Sequence, residues 1–132
     1  MKEQAEWRTW DLDGLKVTQL RLDSRFHVHM WSLERDLLIS FGAPFKRRAE
    51  TGEVCTFDPE RSETLCPLLT LLGRAVLQFA ASSKGECALL FADGSELRVE
   101  PHEKYEAWEA RGTGGLEGAS LLCDIGGGSP WR

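Results

Sequence analysis

Two closely spaced histidines are the residues of this sequence best suited to chemistry. His27 and His29 lie two positions apart in an apolar stretch over residues 26–33, and in a β-strand such residues point to one face. A pair of imidazoles on one face is what a metal site on strands requires. His102 is the third histidine, and local spacing places no carboxylate beside the pair. We therefore interpret the pair as a polar strand surface, and we predict neither a metal nor a cofactor.

The cysteines offer one candidate nucleophile. No CxxC pair is present, so reduced and mostly buried thiols are expected. Cys66 lies near the start of a predicted short helix, where the pKa of a thiol falls. A small core residue beside Leu65 and Leu68 is the explanation we favour for Cys66.

Three further patterns could be taken for chemistry. Glu106 and Glu109 are three positions apart, which puts them on opposite faces of a strand and disfavours a joint acid and base role. The glycine runs at 112–115 and 126–128 are followed by no lysine and no helical pattern, so we predict flexible turns and not phosphate-binding loops. The basic residues 46–48 have acidic neighbours, which is typical of a solvated loop, and the segment 43–57 that contains them is predicted to be a loop or a frayed hairpin ending in the strand 54–57.

Composition limits the class of protein. The chain has 132 residues, with 42% hydrophobic and 28% charged residues, which indicates a single soluble domain over residues 1–132. The net charge of −5 disfavours nucleic acid as a partner, because it would repel phosphate. No apolar run approaches the roughly 20 residues that span a bilayer, and the first six residues do not resemble a secretory signal. We expect a cytoplasmic protein without a membrane partner.

The predicted elements form two β meanders around a short helix. The first meander covers residues 10–57, with strands at 16–22, 26–33, 37–41 and 54–57. Residues 58–73 are predicted to be a loop and a short helix that begins at 62 or 67 and ends before Gly73. The leucines of this helix lie on nearly all of its sides, which predicts that the helix is buried. The second meander covers residues 74–125, and the tail at 126–132 is predicted to be flexible. Its strands are predicted at 74–80, 86–92 and 96–100, followed by a hairpin of 104–110 with 119–124.

These elements predict an α+β fold that is mainly antiparallel β, with two meanders and one short buried helix in a partly closed barrel or sandwich. Aligning Gly14 with Gly73 brings Val17 onto Val76 and Gln19 onto Gln78. An internal duplication would explain the match. Two unrelated meanders that each begin after a glycine would explain it as well.

Several segments of the second half carry a family resemblance. They are residues 71–73, the hairpin at 91–95, the Tyr-Glu-Ala-Trp-Glu motif at 105–109 and the glycine-rich C-terminus. Together they resemble a family of small uncharacterised proteins common in actinobacteria, over the chain from Trp10 to its end. The resemblance implies a bacterial cytoplasmic origin and a domain of unknown function, and it transfers no catalytic residue or cofactor.

The tryptophans favour a binding function. Five are present, and tryptophan is enriched at protein interfaces. We predict a non-catalytic protein-interaction module that binds another protein or a second copy, with an immunity-type protein as a narrower version by analogy. The alternative is a small-ligand-binding or enzymatic barrel with His27, His29, Tyr105 and Glu106 in one polar cavity. The candidate ligand or interface residues are Tyr105, Glu106, Trp108, Trp31, His27 and His29.

Overall fold

The computed structural model describes residues 4–131, which form eleven strands in two antiparallel sheets. The strands are β1 (Trp7–Asp11), β2 (Val17–Leu22), β3 (Phe26–Trp31), β4 (Asp36–Phe41), β5 (Phe45–Arg48), β6 (Val54–Phe57), β7 (Val76–Ser82), β8 (Cys87–Phe91), β9 (Glu96–Val99), β10 (Trp108–Thr113) and β11 (Leu121–Leu122). Sheet 1 has the order β1-β7-β8-β9-β5-β6, and sheet 2 has the order β11-β10-β4-β3-β2.

Alternating side chains explain how the two sheets share one core. In β3, Phe26, Val28 and Met30 face the core and are buried, and Leu37, Ile39 and Phe41 do the same in β4. The rings of Phe41 and Phe45 stack with their centroids 4.7 Å apart and so connect the two sheets. Burial of each such side chain stabilises the fold by about 1.5–3 kcal/mol.

The two halves of the chain exchange strands. Strands β2, β3 and β4 pair in sequence in sheet 2, and β7, β8 and β9 do the same in sheet 1. The fourth strand of each half then crosses over, so that β5 pairs with β9 and β10 pairs with β4. The register shifts between Val17 and Gln19 in β2 and between Val76 and Gln78 in β7, which are matching places. An isolated bridge between Lys16 and Ala75 joins the starts of these two strands.

The α+β prediction is wrong, because residues 4–131 form two antiparallel sheets and contain no α-helix. The predicted buried helix is a 3-10 helix at Ser62–Leu71, and a second 3-10 turn at Glu117–Ala119 is the other helical segment among residues 4–131. Pro67 lies inside the first of these and disfavours an α-helix there. A 3-10 helix has three residues per turn, so Leu65, Leu68 and Leu71 share one face and are buried. Neither sheet closes into a barrel within the described residues.

Strand β1 was not predicted, and β5 lies in a segment for which the sequence left a loop and a frayed hairpin open. Strand β1 lies before the first predicted strand at 16–22, and β5 contains the basic residues 46–48. Each has polar neighbours that mask its alternation, and each is held by partners that are distant in the chain, β7 for β1 and β9 for β5.

No helix in residues 4–131 has the length and apolar character needed to cross a membrane.

Candidate functional site

The outward side of sheet 2 carries a cluster of titratable and aromatic side chains, which we call the histidine face. Strand alternation turns His27, His29 and Trp31 away from the core. The register places each beside an outward residue of the next strand, so that His27 opposes Ser40, His29 opposes Leu38 and Trp31 opposes Asp36. The face consists of Gln19, Arg21, His27, His29, Trp31, Asp36, Leu38, Ser40, Glu109 and Arg111.

His27 is buried and hydrogen-bonded through both ring nitrogens. Its Nδ1 lies 2.7 Å from the Ser40 hydroxyl oxygen, and its Nε2 lies 3.0 Å from Oδ1 of Asp23. The pKa of Asp23 is lowered, first because the backbone N–H of Arg25 donates a hydrogen bond to its carboxylate and next because of His27. The imidazole therefore bridges a buried hydroxyl and an exposed carboxylate.

His29 forms the second histidine–carboxylate pair of the face. Its Nε2 lies 2.6 Å from Oδ1 of Asp36. The two imidazoles line a hollow of about 150 Å³ together with Gln19, Arg21 and Leu38. A more open hollow lies on the other side of His29, against Thr18 and Trp31. The histidine face therefore has two shallow depressions that meet at Gln19 and His29.

Trp31 stands at the edge of this second hollow. Its side chain is 51% exposed, although its backbone N–H donates to the Thr18 hydroxyl at 3.2 Å. That hydroxyl donates in turn to the carbonyl oxygen of His29 at 3.0 Å. Trp31 is thus held on a fixed strand while about half of its surface remains exposed.

Asp23, His27 and Ser40 have the residue types of a hydrolytic triad, but their geometry does not suit nucleophilic catalysis. Ser40 is buried, and β4 is paired on one side with β3 and on the other with β10. The backbone N–H groups around the hydroxyl therefore belong to the two ladders, whereas an oxyanion needs free donors. The arrangement stabilises the two strands and holds His27 in one orientation.

The predicted residues of the second half lie elsewhere. Trp108 is buried, with its indole N–H donating to the Gly85 carbonyl oxygen at 2.9 Å, so it is a core residue. Tyr105 and Glu106 line a separate pocket with Arg25. The cavity alternative needed His27, His29, Tyr105 and Glu106 in one pocket, and the four side chains are divided between two sites.

Other candidates also have plain structural explanations. Cys66 is exposed and not a core residue, contrary to the expectation from the sequence. Cys87 and Cys123 are buried, and burial raises the pKa of both thiols. Among residues 4–131, no three His, Cys, Asp or Glu side chains gather closely enough to hold a metal ion.

Asp23, Asp36 and Ser40 were missed as partners of the histidines. The turn between β3 and β4 decides which residues of the two strands lie opposite each other. The predicted strand ends leave residues 34–36 as the turn, which would shift the pairing of the strands. In the structure the turn is closed by the Ser32 N–H, which donates to the Arg35 carbonyl oxygen at 2.8 Å. With that register, Ser40 lies opposite His27.

The fold and the site define a two-sheet antiparallel β protein with a polar outer face that carries hydrogen-bonded histidines and an open tryptophan. A family described as a family of unknown function (DUF6188) matches residues 8–128, and the chain belongs to it. The predicted membership in a family of unknown function is therefore confirmed. No curated protein and no solved structure matches the chain.

Proposed function

We propose that this chain is a non-catalytic protein-binding module that docks its partner on the histidine face through Trp31. The observation that carries the proposal is the exposure of the Trp31 indole, 51%, on a strand with neighbours on both sides. Tryptophan dominates many binding hot spots because it buries a large area with few rotatable bonds. A side chain on a fixed strand also loses little further freedom on binding.

The surroundings of Trp31 favour a protein partner. Leu33, in the adjacent turn, is 92% exposed and extends the apolar surface. The same face carries His29 with Asp36, and Arg111 beside Glu109 with 3.4 Å between their charged atoms. An apolar centre within a polar rim is the usual composition of a protein interface.

A narrower version of the proposal is an immunity-type role. The chain is small, and its net charge of −5 would attract a basic toxin. The cellular setting that we propose is the bacterial cytoplasm, with a distribution centred on actinobacteria and Tyr105–Glu109 as a family motif. A partner that is basic, and toxic when produced alone, would support this version.

Capture with matched variants tests the docking surface. Tagged wild-type protein, Trp31→Ala and Trp7→Ala would be produced in the cells that naturally make the protein, and bound proteins would be quantified by mass spectrometry. Trp7 is a suitable control because it is also an exposed tryptophan, 38%, on β1 of the other sheet. We expect a partner that Trp7→Ala retains and that Trp31→Ala reduces by about tenfold or more, the effect of a hot-spot residue.

Other outcomes would contradict the proposal. Equal capture by wild type and Trp31→Ala would mean that Trp31 is not the anchor. If the captured partner is the chain itself, light scattering would show a dimer that Trp31→Ala dissociates, which would support docking on this face between two copies. A wild-type protein that remains monomeric and retains no partner would refute the module.

A further inference from the structure

The outer edges of the two sheets differ although the strands that form them correspond. Strand β7 is covered by β1, which pairs antiparallel with it from Trp7 opposite Ser82 to Asp11 opposite Gln78. Strand β2 holds the matching place in sheet 2, but among residues 4–131 no strand lies beyond it. The five positions of β2 and its turn that match residues 78–82 are residues 19–23.

The 3-10 helix accounts for the open edge. A fully buried leucine precedes each of the two matching strands, Leu12 before β2 and Leu71 before β7. The carbonyl oxygen of each leucine accepts a hydrogen bond from the backbone N–H three residues later in the chain. In the first half the segment that leads to this leucine is β1, and in the second half it is Ser62–Leu71. The 3-10 helix turns Leu65, Leu68 and Leu71 into the core, so it does not offer an extended backbone to β2.

An apolar pocket lies where the missing strand would place its side chains. Its volume is about 260 Å³, and its apolar lining comes from Leu20, Leu22 and Phe26 of sheet 2 and from Leu65 and Leu69 of the 3-10 helix. This volume is below the roughly 300–1,000 Å³ typical of small-ligand sites. It suits one large apolar side chain.

The covered edge shows how such a side chain would be presented. Trp10 of β1 lies opposite Phe79 and stacks on it with ring centroids 5.6 Å apart. Leu20 holds the position of Phe79 in sheet 2 and, like Trp10, packs against the core. A residue opposite Leu20 in an added strand would therefore enter the pocket.

We propose that the open edge of β2 binds an extended segment of a partner protein as an antiparallel strand, with a large apolar side chain opposite Leu20 in this pocket. Such strand addition gains affinity from backbone hydrogen bonds and specificity from pockets for alternate side chains. A second copy fits less well. Pairing Leu20 with Leu22 of another copy would set the two Arg21 side chains directly opposite each other, and like charges in that position destabilise a sheet.

The surface of this site is separate from the Trp31 hollow, so the two proposals can fail independently. The pocket lies on the core side of β2, with the 3-10 helix. Trp31 lies on the outer side of sheet 2, in a hollow with Thr18, Gln19 and His29. Trp31→Ala should therefore leave strand addition unchanged.

A peptide with the sequence of residues 5–12 is the probe, because β1 is the natural complement of the matching strand. It would be titrated to about 1 mM, the range of weak binding, into the isotopically labelled full chain, and amide chemical shifts would be followed. We expect shifts at residues 19–23 and not at 78–82. The same peptide with alanine in place of Trp10 should bind about tenfold more weakly, as loss of a buried aromatic side chain implies.

Two matched variants of the protein locate the binding pocket. Leu69→Glu puts a charge into the pocket lining, and Leu72→Glu puts one on the same segment outside it. Both leucines are exposed, 58% and 49%, so both variants should fold. We expect Leu69→Glu to weaken peptide binding about tenfold and Leu72→Glu to change it less than about twofold.

Four results of the peptide titrations would overturn the proposal. They are an absence of shifts at residues 19–23, shifts at 78–82 from displacement of β1, equal effects of Leu69→Glu and Leu72→Glu, and full binding of the alanine peptide. A dimer that forms without peptide and dissociates in Leu69→Glu would also overturn it, because the occupant would then be a second copy.

Discussion

The outer faces of the two sheets differ far more than their topologies. By register, His27 and His29 of β3 hold the places that Ala88 and Leu90 hold in β8. The same strand order and the same shift of register are therefore compatible with two small or apolar residues. The comparison teaches that the architecture does not require the histidines, so their cause lies in the local hydrogen bonds or in function.

The core sides, by contrast, are nearly equivalent. Phe26, Val28 and Met30 of β3 are buried, as are the matching residues Cys87, Leu89 and Phe91 of β8. Substitutions in the core should affect both halves alike, whereas substitutions on the outer face should separate them.

The largest effect is expected where each half crosses into the other sheet. Trp108 in β10 and Phe45 in β5 are both about 1% exposed and lie at the starts of the exchanged strands. Trp108→Ala and Phe45→Ala should each lower the free energy of unfolding by about 3–5 kcal/mol, the usual cost of truncating a buried aromatic residue. Chemical denaturation would measure both.

Unequal losses would break the comparison. If Trp108→Ala proved severe and Phe45→Ala mild, the two crossings would not be energetically equivalent. Trp108→Phe is the accompanying control, because it keeps most of the ring but removes the N–H that donates to the Gly85 carbonyl oxygen.

The core was easier to predict from sequence than the site. Alternation located β3 and β4 to within two residues at each end, and the turn glycines marked the starts of β2 and β7, because these signals are local. The exchanged strands β5 and β10 pair with residues more than 45 positions away in the chain. No local sequence pattern indicates such distant pairing. The 3-10 helix was missed because leucines spaced by three or four satisfy an α-helical pattern as well.

A smaller effect is expected at the buried histidine. Ser40→Ala leaves Nδ1 of His27 without its partner at 2.7 Å, and a buried unpaired polar atom costs about 1–3 kcal/mol. His29→Leu, which installs the residue of the matching position in β8, should change the free energy of unfolding by less than about 0.5 kcal/mol, because His29 is partly exposed. Thermal and chemical unfolding would measure both variants.

The double variant His27→Ala with Ser40→Ala sharpens this result. Removal of both partners should cost less than the sum of the two single changes, because neither polar group then remains unpaired. Strict additivity would mean that the hydrogen bond contributes nothing to stability. The histidine would then be retained for another reason.

A pH-dependent effect should separate the two hairpin turns. In the β8–β9 turn, the Ser95 hydroxyl and backbone N–H donate to Asp93, and these bonds, followed by Arg74, lower the pKa of its carboxyl group. A carboxyl group with a lowered pKa in the folded state stabilises the protein above its ordinary value of 3.8, and this stabilisation is lost as the pH falls through the lowered pKa.

Asp93→Asn should therefore cost about 1 kcal/mol near pH 7, discounted for exposure, and the cost should shrink toward zero in acid. In the β3–β4 turn, the Ser32 hydroxyl instead accepts the backbone N–H of Arg35 at 3.0 Å. Ser32→Ala should cost a similar amount at every pH, because no charge is involved. Urea titrations at several pH values compare the two. A pH-independent cost for Asp93→Asn would contradict the assigned cause.

The smallest effect on stability is expected at Trp31. Its indole is half exposed and lies outside the core, so Trp31→Ala should change the free energy of unfolding by no more than about 0.5 kcal/mol. Trp7→Ala in sheet 1 should cost somewhat more, because the Trp7 ring also receives the Arg98 guanidinium at 5.3 Å, a contact of about 0.5–1 kcal/mol at exposed sites. Side-by-side denaturation would measure the difference. A Trp31 variant that unfolds more readily than the Trp7 variant would show that this tryptophan serves the fold, and the outer face of sheet 2 would then lose the residue on which docking depends.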